Sequence, residues 1–234
     1  MGIFMFNERS SDEFGIYIAE KDIHSAPARD QSFISVPGRN GDVLIDNGRY
    51  ENVTVSYTCY CKNLVDNMYL IKSWLCQPGY FLLEDSYFPF FYRDAAYASN
   101  LKVEELINNV GKFTITFNCK PFQYFVFGLL KYTFTNSTTN KTITNSLNFS
   151  ALPVIKIYGT GSGTLHINSR SYALTDISEY IEINSELMSC YKDDTLQNNK
   201  INFAEFPYLE PGDNAFSWTG DITKVEITPH WRTL

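Results

Sequence analysis

The sequence predicts a mainly-β protein in two domains, and three observations carry that expectation. Period-2 alternation of apolar and polar residues dominates the chain. Aromatics reach 16%, with 16 Tyr and 18 Phe, and aromatic and β-branched side chains suit a pleated, half-buried surface. One segment alone departs from the pattern. In "KNLVDNMYLIKSWLCQPG", Leu64, Met68, Ile71 and Leu75 recur at helical spacing on one face.

The elements follow in order. "FGIYIAE", "ENVTVSYTCYC", "GKFTITFNC", "LPVIKIYG", "GTLHIN", "EYIEIN", "NAFSWTG" and "ITKVEITP" read as half-buried strands bounded by turn residues. The helix is predicted to start at an Asn63 cap and to end at Pro78-Gly79. The first half is therefore β-structure with one amphipathic helix, and the second half is purely β. Between them, "GLLKYTFTNSTTNKTITNSLNFS" turns polar and reads as a linker plus solvent-facing strands, with the division at 132/133. The two expected domains are 1–132 and 133–234, a β-sandwich or barrel-like domain carrying the helix and a second all-β domain.

Bulk properties bound the function. The chain of 234 residues is 44% hydrophobic and 19% charged, which is a globular balance. A formal net charge of -7 opposes tight, specific binding to nucleic acid, because an acidic surface repels phosphates. The five cysteines, at 59, 61, 76, 119 and 190, follow neither a disulfide framework nor a zinc pattern and read as reduced, packed thiols. Cys59 and Cys61 share one strand face. "MGIFMFNERSSDEF" lacks the layout of a secretion signal, and Phe6 stands where a myristoylation site needs Ser or Thr. Apolar runs such as "YFVFGLL" are too short to span a bilayer. The expectation is a protein made in a reducing cytoplasm, with no membrane insertion. The N-x-[ST] triplets at Asn52, Asn136, Asn140 and Asn148 are then chance hits in an Asn-rich chain.

A search for chemistry returns little. "YGTGSGTLHI" resembles a phosphate loop, but the residues after Gly163 alternate like a strand rather than opening a helix, so it reads as a hairpin turn. "VGKFT" has no upstream glycine loop to make Lys112 a phosphate ligand. His24, His166 and His230 have no partner at metal-ligand spacing. No nucleophile elbow is present. The acidic pairs Glu84-Asp85, Glu104-Glu105 and Asp193-Asp194 are adjacent, which on a strand sends them to opposite faces. The reading is a non-enzyme with no catalytic residue, cofactor or metal.

Two stretches remain. "VPGRNGDVLIDNGRYENVTVSY" sets glycine turns at Gly38, Gly41 and Gly48 beside the charges Arg39, Asp42, Asp46 and Arg49. Opposite charges beside a strand edge fit register between subunits, so these four are subunit-interface candidates. The competing reading is that they solvate a hairpin. "EPGDNAFSWTG" turns and then places Phe216 and Trp218 on one strand face. Core packing explains it, and so does stacking on a sugar by an exposed Tyr208, Trp218 or Trp231.

The same stretches carry a resemblance. "VPGRNGDVLIDNGRYENVTVSY" resembles the N-terminal signature of the distal tail proteins of long-tailed siphophages. "KSWLCQPGYFLLEDSYFPFFYRDAAY", "GKFTITFNCKPFQY", "ALPVIKIYGTGSGTLHIN" and "YLEPGDNAFSWTGDITKVEITPHWRTL" are similar to later segments of that family, in the same order. Phe216 departs from it, since an aliphatic residue is commoner there. The resemblance implies a baseplate hub in the virion tail tip: a six-fold ring with a channel for DNA. The N-terminal domain would build the ring, joining the tail tube protein to the tail-associated tip (lysin) protein. The second domain would be a peripheral galectin-like, carbohydrate-module-like β-sandwich, which in some members carries receptor-binding proteins. The alternative is a carbohydrate- or receptor-binding module contacting the host surface.

Overall fold

The computed structural model describes residues 2–21, 26–100, 103–105, 109–136, 138 and 141–234, and of 103–105 the backbone only. His24 and Asn140 lie outside the described residues, as do the side chains of Glu104 and Glu105. The chain divides into two compact units, Met1–Gln123 with Leu234, and Tyr124–Thr233. The mainly-β class with one α-helix is what the described residues form.

The first unit contains β1 (Phe4–Phe6), β2 (Arg9–Ser10), β3 (Ile16–Lys21), β4 (Arg29–Ile34), β5 (Val43–Tyr50), β6 (Val53–Lys62), α1 (Leu64–Leu75), β7 (Phe81–Asp85), β8 (Phe91–Tyr97), β9 (Val103–Glu105) and β10 (Val110–Cys119). All pairings are antiparallel, in the order β2-β1-β7-β8-β10-β6-β3, with β9 beside β10. The path then returns on itself. Gly2 bridges Ile18 of β3, and the Ile18 amide donates to the Gly2 carbonyl at 2.8 Å. That bridge satisfies one position of the β3 edge, which would otherwise be open to a foreign strand.

Inward residues of β6 (Val53, Val55, Tyr57, Cys59, Cys61) and β10 (Phe113, Ile115, Phe117, Cys119) line one core, as alternation requires. That core is aromatic. Phe14 stacks on Trp74 with ring centroids 4.4 Å apart, and Phe4 stacks on Tyr57 at 5.2 Å. Helix α1 turns Leu64, Ile71, Trp74 and Leu75 into this cluster, and the Trp74 indole donates to the Phe6 carbonyl at 2.7 Å. The predicted Asn63 side-chain cap does not form, because Asn63 takes a left-handed conformation at φ 55°. Asn109 caps the helix from across the fold. Its carbonyl accepts from the Leu64 amide at 3.1 Å and its Oδ1 from the Val65 amide at 2.9 Å.

The second unit follows β11 (Gln123–Phe125) and holds β12 (Tyr132–Thr135), β13 (Thr142–Asn145), β14 (Val154–Ile167), β15 (Arg170–Asn184), β16 (Ser189–Lys192), β17 (Thr195–Leu196), β18 (Ile201–Asn202), β19 (Gly212–Thr228) and β20 (Arg232–Thr233). Its sheet runs β12-β19-β14-β15-β16-β17, with β13 on β19 and β18 on β15. The polar stretch around residue 140 thus contains β12 and β13, both paired to β19. The core here is aliphatic, built from Ile155, Ile157, Ile167, Ile181, Ile183, Val225 and Ile227, with Phe216 and Trp231 added.

"YGTGSGTLHI" is not a hairpin turn. It lies inside β14, which pairs with β15 and β19 on either side and shifts register between Gly161 and Gly163. The glycines are needed because the backbones of β14 and β19 meet there. A Cβ on Gly159 would collide with the Asp221 carbonyl, and one on Gly220 with the Ser162 carbonyl. "NAFSWTG" and "ITKVEITP" are likewise one strand, β19, bent at Gly220.

No cysteine is bridged. Cys59, Cys61, Cys119 and Cys190 are buried, and Cys76 is exposed just past α1. Burial pushes the Cys59, Cys119 and Cys190 thiols up to about 12 and that of Cys61 to about 11.

Candidate subunit interface on the β4–β5 arm

The stretch that carried the charges and glycines forms an arm. Strands β4 and β5 pair only with each other, as a two-stranded sheet apart from the barrel. The ribbon starts at an Ala28 carbonyl that accepts from the Glu51 amide at 2.9 Å, and Tyr50 packs edge-on against Phe122 with centroids 5.9 Å apart. "PGRNG" is the loop at its far end, with Gly38 at φ 79° and Gly41 at φ 81°. "DNG" is not a second turn. It lies within β5, where Gly48 at φ 74° and the register shift opposite Arg29–Gln31 make a bulge.

The four candidate charges separate into two kinds. Asp46 accepts from the Gly48 amide at 2.7 Å and from Arg29 Nε at 2.9 Å, and these bonds hold its carboxyl below the usual range. Arg49 donates to Asp30 at 2.6 Å. Asp30, which also accepts from Asn47 at 2.9 Å, is lowered by the Asn47 bond first and the Arg49 bond second. Asp46 and Arg49 therefore serve the arm's own register. Arg39 and Asp42, in the end loop, have no side-chain partner among the described residues. They are the charges left for another surface.

The more informative residues are ones the charge pattern hid. Phe33 is 67% exposed, Leu44 51%, Ile34 47% and Ile45 44%. An isolated two-stranded ribbon is marginal in water, and this one shows solvent its apolar side chains. Fully burying one such side chain is worth about 1.5–3 kcal/mol. Association of two proteins costs at least about 4 kcal/mol in lost freedom. The signal was present in the sequence: "FI" at 33–34 and "VLI" at 43–45 break strict alternation, so both faces receive apolar residues.

The residues read as candidates for sugar stacking are otherwise engaged. Trp231 is 5% exposed within the second core, which leaves no ring face for a ligand. Trp218 is half-buried, donates its indole N–H to Asn136 Oδ1 at 2.7 Å, and has Lys141 Nζ 5.0 Å from its ring. The Arg170 guanidinium lies 3.7 Å over the Tyr208 ring. His166 bonds Ser171 at 2.9 Å, and the His230 amide donates to Gly128. Of the acidic pairs, Asp85 is engaged inward by Lys21 at 2.6 Å and Tyr57 at 2.8 Å, whereas Glu84 pairs across from Met5 on the outer face. Among the described residues no group of three or more His, Cys, Asp or Glu is placed to hold a metal, and no helix is long and apolar enough to cross a membrane.

No family model matches the sequence, and no curated protein does. A solved structure does match. The chain superimposes on the SPP1 Dit (gp 19.1) protein, whose crystal structure is described as a paradigm of the hub adsorption apparatus in phages infecting Gram-positive bacteria. The TM-score is 0.76, the identity 11%, and the match covers 100% of both chains. This chain has that fold from end to end.

Proposed function

We propose that this chain is a structural hub of the siphophage distal tail type, acting by geometry and not as an enzyme. The observation that carries the reading is the fold shared with SPP1 Dit over the whole of both chains. Residues 1–132 form a ring, six-fold by the resemblance, and residues 133–234 lie at its periphery. The ring joins the tail tube protein to the tail-associated tip protein, offers its outer domain to receptor-binding proteins, and leaves a channel for DNA. Its place is the tail tip of the virion.

The arm supports the ring. A closed ring needs a heterologous contact, in which one patch meets a different patch on the next copy. The large sheet of the first unit is joined across one bridge, Gly2–Ile18, whereas the ribbon of β4 and β5 keeps a free strand edge on either side. The test is the mass of the purified protein by light scattering, with negative-stain images of the same peak. Six copies, or a multiple, around an open centre is the expected result. A monomer at every concentration would overturn the self-closing contact. It would favour a surface-binding module, which Trp218 rather than Trp231 would have to serve.

A further inference from the structure

The chain contains two Asn-Gly steps, Asn40-Gly41 and Asn47-Gly48, and both lie on the arm. In such a step the side-chain amide is easily lost, because glycine has no Cβ to hinder attack by its own backbone nitrogen on the preceding side chain. The two steps have the same flanking residue types in reverse order, Arg-Asn-Gly-Asp and Asp-Asn-Gly-Arg. The structure nevertheless treats them differently. At the second, the Gly48 amide donates to Asp46 Oδ1 at 2.7 Å, and Asn47 Nδ2 donates to Asp30 Oδ1 at 2.9 Å. The attacking nitrogen and the departing amide are both held, within the paired strand β5. The Asp46 carboxylate also opposes loss of the Gly48 proton, since a second negative charge would form beside the first.

At the first step neither group is held. Asn40 and Gly41 are exposed in the loop at the far end of the ribbon. Among the described residues the Asn40 side chain and the Gly41 amide bond to no partner. Gly41 stands at φ 81°, and a Cβ built there would meet nothing within 4 Å beyond its chain neighbours, so there is room for the side chain to close onto the backbone.

We propose that Asn40 is a site of spontaneous deamidation, and that the arm's own hydrogen bonds protect Asn47 from the same reaction. The inference is independent of the hub reading. The Gly41 nitrogen gives its proton to water or hydroxide and bonds Asn40 Cγ. The Cγ–Nδ2 bond breaks, and the amide leaves as ammonia. Water then opens the cyclic succinimide at either carbonyl. Opening at Cγ leaves aspartate at position 40, and opening at the main-chain carbonyl leaves isoaspartate, with Cβ in the main chain. The net change is one water consumed and one ammonia released. Arg39 and Asp42, whose charges balance, are then joined by one more negative charge, and isoaspartate lengthens the connection between β4 and β5.

The test is incubation of the full-length protein at mildly alkaline pH, with timed samples digested by trypsin and read by mass spectrometry. Cleavage after Arg39 and Arg49 releases one peptide, 40–49, that holds both steps, and fragmentation assigns the mass gain to one or the other. A zero-time sample corrects for conversion during digestion. In the folded protein Asn40 is expected to convert at least about 10-fold faster than Asn47, the ratio that one retained charge-assisted hydrogen bond imposes. In the same chain unfolded in guanidinium chloride the two rates should converge. Equal rates in the folded protein, or no conversion at Asn40, would overturn the proposal. A ratio that survives unfolding would overturn it too, because the difference would then belong to the sequence and not to the bonds at Asp46 and Asp30.

Discussion

The β4–β5 arm and the β14–β15 ribbon are both antiparallel hairpins, but only one of them has an inside. Along β14 and β15, Ile155, Ile157, Leu165 and Ile167 meet Tyr172, Leu174, Ile181 and Ile183 on one buried face. Intervening residues such as Lys156 and Glu182 stay at the surface side of the alternation. The arm has equally regular pairing and places apolar residues on both faces, with no core beneath either. Backbone pairing is the same in the two, so the difference lies in burial. The first ribbon is buried by its own subunit, and the second is not.

That contrast can be broken in graded ways. Ile157→Ala removes a fully buried side chain and is expected to cost about 2–5 kcal/mol of unfolding free energy in urea. Phe33→Ala on the arm should stay within about 0.5 kcal/mol for the isolated subunit. Equal losses at the two sites would show that the arm is supported from within. Gly159→Val drives a Cβ into the Asp221 backbone at the β14–β19 crossing, and about 1–3 kcal/mol is the expected loss in the same measurement. Asn109→Ala removes the Oδ1 half of the distant helix cap and leaves its carbonyl bond to the Leu64 amide in place. Its expected cost is about 1 kcal/mol, read together with a small drop in helical circular dichroism.

The smallest effect is a pH response confined to the arm. Asp30 and Asp46 have folded pKa values below their ordinary ones. Their contribution is therefore present above the unfolded carboxylate pKa, about 3.9, and is lost as pH falls through the lower folded values. Both are solvent-accessible, so the response is local and screened by salt. Protection factors of the β4 and β5 amides, taken against the intrinsic rate at each pH, should fall on acidification below about pH 4, while β14 and β15 keep their protection. Parallel loss in both ribbons would assign the effect to global acid unfolding instead.

How much of this was legible depends on the range of the signal. Alternation located β6 and β10 and put Cys59 and Cys61 on one buried face, because period 2 is local. The helix from Leu64 to Leu75 was legible for the same reason. Its cap was not, since Asn109 reaches α1 only through the fold. "YGTGSGTLHI" read as a turn because glycine marks both turns and close backbone approach, and only the neighbouring β19 separates the two. At the candidate interface the charges are the visible signal in the sequence, although two of the four, Asp46 and Arg49, are used internally. The exposure of the arm's apolar residues is not legible, because an exposed Phe33 and a buried Phe117 look alike until the partner strands are known.

One feature at the end of α1 gives the chain a built-in label. Four of its five thiols are buried, three with pKa values near 12 and one near 11, whereas Cys76 is exposed. Thiolate is the reactive form, so a maleimide dye at neutral pH should modify Cys76 and spare the rest. Unmutated protein then carries one fluorophore per copy at a defined place. Counting bleaching steps in single particles would give the number of copies in an assembly directly, and energy transfer between dyes on adjacent copies would measure their spacing.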